Sequence, residues 1–342
     1  MDRGSRLGIV AKRLAQALPS LFGIILVTFV LTRALPGDPA VYFAGPAADA
    51  ESIQQIRETL GLDQPLPTQF LHYIADLATG DLGQSINTGL PVAEELWRRL
   101  PASLELTLVA LLFSVSIALP LGILAATRPD SWIDHLCRVI VTAGVSLPTF
   151  FTGLFLIYIF YYLLGIAPSP LGRLDIFFIE PTPVTGFFLI DSLLAGEPET
   201  FWAALGQLVL PAITLGIFTL APLARMTRAA MLQVLSSDFV RTARASGLEP
   251  GTVLFTYAFR NALLPILTTL GMVFSFMLGA NVLVEKVFAW PGIGSYAIEA
   301  LIASDYAAVQ GFVLAMAILY VLLNLLIDIA YTLIDPRIAL DG

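Results

Sequence analysis

Uncharged residues come in six long runs, Leu14–Thr32, Leu106–Thr127, Val139–Gly172, Thr200–Ala224, Asn261–Val284 and Tyr306–Ile327, of 19, 22, 34, 25, 24 and 22 residues. About 20 apolar residues cross ~30 Å of bilayer hydrocarbon, so the pattern predicts about six membrane-spanning helices. Between the first two runs, 36–100 is polar. Within it Ala50–Leu60 spaces Ile53, Ile56 and Leu60 helically and is followed by Gly61. Thr68–Ala78 places Phe70, Ile74 and Leu77 on one face before Gly80. Both read as short amphipathic helices ended by glycine. Pro101 opens the second span, and Pro148 lies inside the third, where it marks a kink.

The run of positions 226–260 follows a different pattern. Ser236, Ser237 and Asp238 offer N-cap side chains, and Phe239, Val240 and Ala243 share one side of the helix that follows. Gly247 then stands where a C-terminal cap is expected, and Glu249-Pro250 starts a new helix. The reading is a short, separately capped helix held between two spans by tight turns. Such a rigid element suits transmission of force to another protein.

Composition narrows the class. Hydrophobic residues make up 57% of the 342 and charged residues 13%, against about 25% charged in soluble domains. A soluble enzyme, a disulfide scaffold and a nucleic-acid binder are excluded. With both termini inside, the loops hold 12 basic residues inside and 6 outside, and 18 of the 26 acids fall outside. This asymmetry predicts cytoplasmic N and C termini. The single cysteine, Cys137, forms no internal disulfide, and no zinc or protease motif occurs. Neither lysine, Lys12 nor Lys286, sits in a phosphate loop. No catalytic or nucleotide-binding site is therefore expected in this chain, and ATP-driven work would need a separate subunit.

Ionisable groups inside the spans are few. Asp328 has Asn324 and Tyr331 on its own helix face. An interhelical hydrogen-bond cluster and an ion relay both fit, and the second makes an ion-coupled carrier the alternative function. Pro148 joins these three as a possible gate element. Gly271 and Gly279 read as close helix contacts, Asp305 as an N-cap, and Trp290 as an interfacial anchor.

Several blocks together resemble a known family. Arg241-Thr242-Ala243-Arg244-Ala245-Ser246-Gly247-Leu248 with Arg260-Asn261-Ala262-Leu263-Leu264-Pro265 is similar to the cytoplasmic loop of dipeptide/oligopeptide-type ABC importer permeases. Leu35-Pro36-Gly37-Asp38-Pro39, Leu60-Gly61-Leu62-Asp63, Gly80–Ser85, Leu100–Leu106, Phe288–Gly294, Val309-Gln310-Gly311 and Asp335-Pro336-Arg337 resemble further family blocks in the right order. The long first outer segment resembles the B-type subunit. Ser246 and Tyr257 depart from the lysine and histidine common in the family.

The resemblance implies an all-α bacterial inner-membrane protein of type I importer permease architecture. It divides as 1–35, a cytoplasmic N-terminus and first span; 36–100, extracytoplasmic; 101–335, a five-span core; and 336–342, a cytoplasmic tail. It also implies a second permease subunit, two ATPase subunits carrying ATP and Mg, and an extracytoplasmic solute-binding protein. The helix Asp238–Gly247 would be the ATPase-coupling helix. In it Phe239 and Val240 would form an apolar plug and Arg241 and Arg244 polar contacts, with Asp238, Thr242, Ala243 and Gly247 as the helix's other residues.

Overall fold

The computed structural model describes residues 3–34, 38–45 and 48–334. Among them the chain is helical, with one isolated β-bridge between Gln84 and Pro91. The motif residues 35–37 and 335–337, and the tail to 342, lie outside the described residues. Contacts divide the chain into two units, Met1–Ser103 with Pro291–Leu322, and Leu104–Trp290 with Leu323–Gly342.

The first unit opens with α1 (Arg3–Ala34), whose apolar part Leu18–Ala34 is shorter than the other spans. Next come α2 (Pro39–Ala44), α3 (Ala50–Thr59) and α4 (Leu66–Thr79). Apolar spacing predicts α3 and α4 but not α2, which Asp38 caps by accepting from the Ala40 N–H. Gly61 and Gly80 take left-handed φ values of 65° and 82° after α3 and α4, a conformation open to glycine at little strain. Phe29 of α1 lies against Phe70 and Tyr73 of α4. The unit also takes in the start of α5 (Val92–Thr127), α13 (Ile293–Ile302) and most of α14 (Tyr306–Ile334). Their core is Val92, Leu96, Ile293, Tyr296, Ala300 and Ala308. Gly311 lets α14 approach α5 here, because a Cβ would fall 2.4 Å from Val92.

The second unit contains the rest of α5, then α6 (Trp132–Ser146) and α7 (Thr149–Leu156), which continues as a π-helical stretch Ile157–Leu163. It goes on through α8 (Phe188–Ala195), α9 (Pro198–Leu235), α10 (Asp238–Ala245) and α11 (Pro250–Thr252). A second π-helical stretch, Val253–Phe259, leads into α12 (Arg260–Val287). Small residues bring these helices together. A Cβ on Gly216 would strike Phe113 at 2.5 Å, and one on Gly271 would strike Ile327 at 2.4 Å. Gly279, which looked equivalent in sequence, faces open space.

Four stretches are long and apolar enough to cross a bilayer: α5, α9, residues 250–287 and α14. The α6–α7 pair makes a fifth, broken one. Here the expected kink is a break: the two helices meet at 105°, and Pro148 is the N-cap residue of α7 rather than an interior residue. Trp290 is a second correction, being buried rather than placed as an interfacial anchor. The exposed tryptophans are Trp97, Trp132 and Trp202, near the starts of α5, α6 and α9, where amphipathic rings favour the membrane–water boundary.

Candidate functional site

The short helix read from residues 236–250 is present as α10. Ser237 takes the extended N-cap conformation, but its hydroxyl donates to the Val234 carbonyl instead of capping α10. The C-terminal end closes as anticipated. Gly247 has φ 75°, its N–H donates to the Arg244 carbonyl at 3.0 Å, and the Leu248 N–H donates to the Ala243 carbonyl at 3.4 Å. This paired arrangement satisfies two carbonyls that a helix end leaves open. Pro250 then takes the first position of α11.

The structure separates Phe239 from Val240 and Ala243, which the spacing placed on one side. Val240 and Ala243 are buried, packed in a cluster with Ile123, Ala126, Ala230, Met231 and Val253. Val240 is 0% exposed, so it anchors α10 to its own unit and presents no plug to a partner. Phe239, 46% exposed, stands on the open side. Asp238, Arg241, Thr242 and Arg244 are exposed with Phe239, and Arg241 pairs loosely with Asp238 at 3.4 Å. Beside α10 lies a cleft of about 670 Å³ lined by Ala126, Leu232, Leu235, Arg244, Leu248 and Leu254. The outer face is thus polar and cationic around one aromatic ring, while the inner face is fixed by packing.

The residues read as a gate or polar cluster separate into two features. The Tyr331 hydroxyl donates to Thr268 Oγ1 at 2.6 Å, tying α14 to α12, and Asn324 and Asp328 are half-buried on α14. Pro148 belongs to the α6–α7 break. Buried carboxylates elsewhere were missed. Glu285, fully buried on α12, accepts from Asn281 Nδ2 at 2.9 Å. Its sequence signal was Asn281 one helical turn earlier, but a carboxylate just past an uncharged run reads as a loop residue. Asp305 was read as an N-cap and is one, accepting from the Ala308 N–H at 3.2 Å. It also accepts from the Ser85 hydroxyl at 2.6 Å, which gives the Gly80–Ser85 block a structural purpose.

Asp134 is another missed carboxylate. It sits in the first turn of α6, fully buried, and Arg228 of α9 donates to both its oxygens through Nε and Nη2. Arg138 donates to it at 2.6 Å and the Asp130 N–H at 3.1 Å. Glu105 is a similar case, paired at 2.6 Å with Arg173, whose guanidinium also donates to the Gly186 carbonyl at 2.8 Å. Among the described residues no group of three or more His, Cys, Asp or Glu side chains is arranged to hold a metal ion.

Comparison with known proteins gives the family of the chain. Residues 118–340 match the model of the binding-protein-dependent transport system inner membrane component, and residues 7–107 match the N-terminal region of the same membrane components. The chain is 48% identical over 320 residues to a probable D,D-dipeptide transport system permease protein of Escherichia coli, covering 94% of each. It is 45% identical to a di/tripeptide transport system permease protein of Pseudomonas aeruginosa, over 97% of this chain and 98% of that one. With a dipeptide transport system permease protein of Alkalihalophilus pseudofirmus the identity is 40%, over 97% and 99%. Matches of this extent leave no room for a carrier of another family, and the chain belongs to the inner membrane components of binding-protein-dependent transport systems.

Proposed function

We propose that this chain is one of two permease subunits of an ATP-driven importer of short peptides, with both termini in the cytoplasm. In this reading α10 docks in a groove of an ATP-hydrolysing partner. An extracytoplasmic binding protein delivers the peptide, and ATP and Mg are bound by the partner subunits. The observation that carries the reading is α10 itself. It is capped at Gly247, anchored by Val240 and Ala243, and presents Phe239 among Asp238, Arg241, Thr242 and Arg244. The three relatives named for peptide transport support the peptide class, and the 12-to-6 bias of basic residues supports the orientation. Closure of the two ATPases would draw the two coupling helices together and turn the spans between inward-open and outward-open states.

Purifying the tagged chain from its own cells in mild detergent tests this directly. Two ATPases and a second permease should co-purify, and proteoliposomes of the complex with its binding protein should accumulate a labelled dipeptide only with ATP inside. A chain that purifies alone, or uptake driven by an ion gradient without ATP, overturns it.

A further inference from the structure

We propose that the buried Asp134 carboxylate, held by Arg228 and Arg138, is a positioning residue that locks α6 to the α10 end of α9, so that a push on α10 moves both as one block. The proposal deepens the importer reading and rests on it. Arg228 lies only seven residues before the end of α9 at Leu235, after which the chain turns straight into α10. The α9 end is also fastened to α10 by apolar packing, with Ala230 and Met231 against Val240 and Ala243. Arg228 then reaches across to α6 with two bonds to one carboxylate, the Nη2 contact being 2.9 Å. A forked pair of this kind fixes orientation as well as distance. Further along, α6 rides close on α9: a Cβ on Gly144 would meet Ala221 Cβ at 3.0 Å and the Ile217 carbonyl at 3.2 Å.

On the side of the clasp away from α10 both helices have a weak point. In α9, Pro222 removes one backbone hydrogen bond. The α6 path breaks at Leu147-Pro148, where it turns through 105° into α7. The clasp therefore sits between the surface where force enters and the two places where the helices can bend. If it is cut, α10 can still dock, but its motion reaches only α9.

The test uses the complete transporter in proteoliposomes, comparing wild type with Asp134→Asn, Arg228→Lys and the double variant Asp134→Leu/Arg228→Leu. Assembly with the ATPases, melting temperature, ATP hydrolysis and peptide uptake are all measured. Asp134→Asn is expected to keep assembly and basal hydrolysis while peptide imported per ATP falls about tenfold. Arg228→Lys, which keeps the charge but not the fork, should lie between. The apolar double variant should restore the melting temperature without restoring import per ATP, a split that a merely structural pair does not produce. Unchanged import per ATP in Asp134→Asn overturns the proposal. So does a loss of uptake that only tracks lost assembly and recovers in the double variant; should Asp134→Asn fail to fold, Arg228→Lys decides by the same ratio. Failure of wild type to assemble with ATPases at all would instead overturn the importer reading.

Discussion

The loops that enter and leave α9 are fastened in different ways. The one before it, residues 165–197, has few apolar residues turned inward and is tied by buried charge. Arg173 pairs with Glu105 and lies over the Phe188 ring at 3.5 Å, while Asp191 accepts from Val184, Thr185 and Gly186. Its apolar side chains Ile176, Phe177 and Ile179 are left outside, each more than 80% exposed. The loop after α9 does the reverse, burying Val240 and Ala243 and leaving its charges in water. Apolar packing tolerates loss of a methyl group far better than it tolerates a charge. A buried ion pair fails when one partner is removed, because the other stays in low dielectric.

This contrast is sharpest at α10. Val240→Asp puts a carboxylate into the cluster around Met231 and Val253, and a destabilisation of about 4 kcal/mol is expected. Phe239→Asp, one position away, should melt like wild type and lose only association with the ATPases. Thermal melts in detergent paired with pull-downs check both, and equal loss of stability in the two variants breaks the assignment of faces.

At the other loop, Glu105→Leu leaves the Arg173 guanidinium buried without its carboxylate and should cost about 3 kcal/mol. Burial already pushes that guanidinium below its ordinary pKa, with Glu105 acting in the opposite direction. Glu105→Leu with Arg173→Leu should recover most of the loss in a double-mutant cycle. Additive losses would show that the two residues act separately.

How much could be read beforehand follows the same division. The spans, the glycine after α4 and the capped α10 were legible because each depends on local spacing or on one special residue such as Gly247. The inward turn of Val240 was not, since choosing between adjacent positions of an eight-residue helix requires knowing where α5 and α9 end. Asp134, Glu105 and Glu285 drew no site reading from the sequence for a related reason. Their partners Arg228, Arg173 and Asn281 lie 94, 68 and 4 residues away, and only the last separation carries a helical signal. Trp290 was misread because a tryptophan beside Pro-Gly looks interfacial whichever way its ring points.

A smaller effect is expected at Gly247. Nothing lies within 4 Å of a Cβ placed there, so the strain of any substitution comes from its φ of 75° alone. Gly247→Ala and Gly247→Leu should therefore loosen α10 about equally, by ~1–2 kcal/mol, read as faster amide exchange at Leu248. A much larger loss in the leucine variant would mean that bulk matters at this position.

The smallest effect distinguishes the two loops by acid. Burial pushes the Asp191 carboxyl up, but its bonds from Thr185, Gly186 and Val184 outweigh this and leave it below the ordinary 3.8. A carboxylate lowered on folding stabilises the native loop fully above its unfolded pKa and loses that contribution as pH falls through the folded value. The loop before α9 should therefore be indifferent to pH from about 8 to 5 and loosen only below about 4. The Val240 anchorage of α10 has no carboxylate in its core and should hold across that range. A spin label at Phe177→Cys in a Cys137→Ser background reports on the first loop, and one at Thr242→Cys on the second. In Asp191→Asn the first label should already be mobile at neutral pH and lose its acid response. Loosening that begins near neutral pH in the unsubstituted loop would mean that some group other than Asp191 holds it.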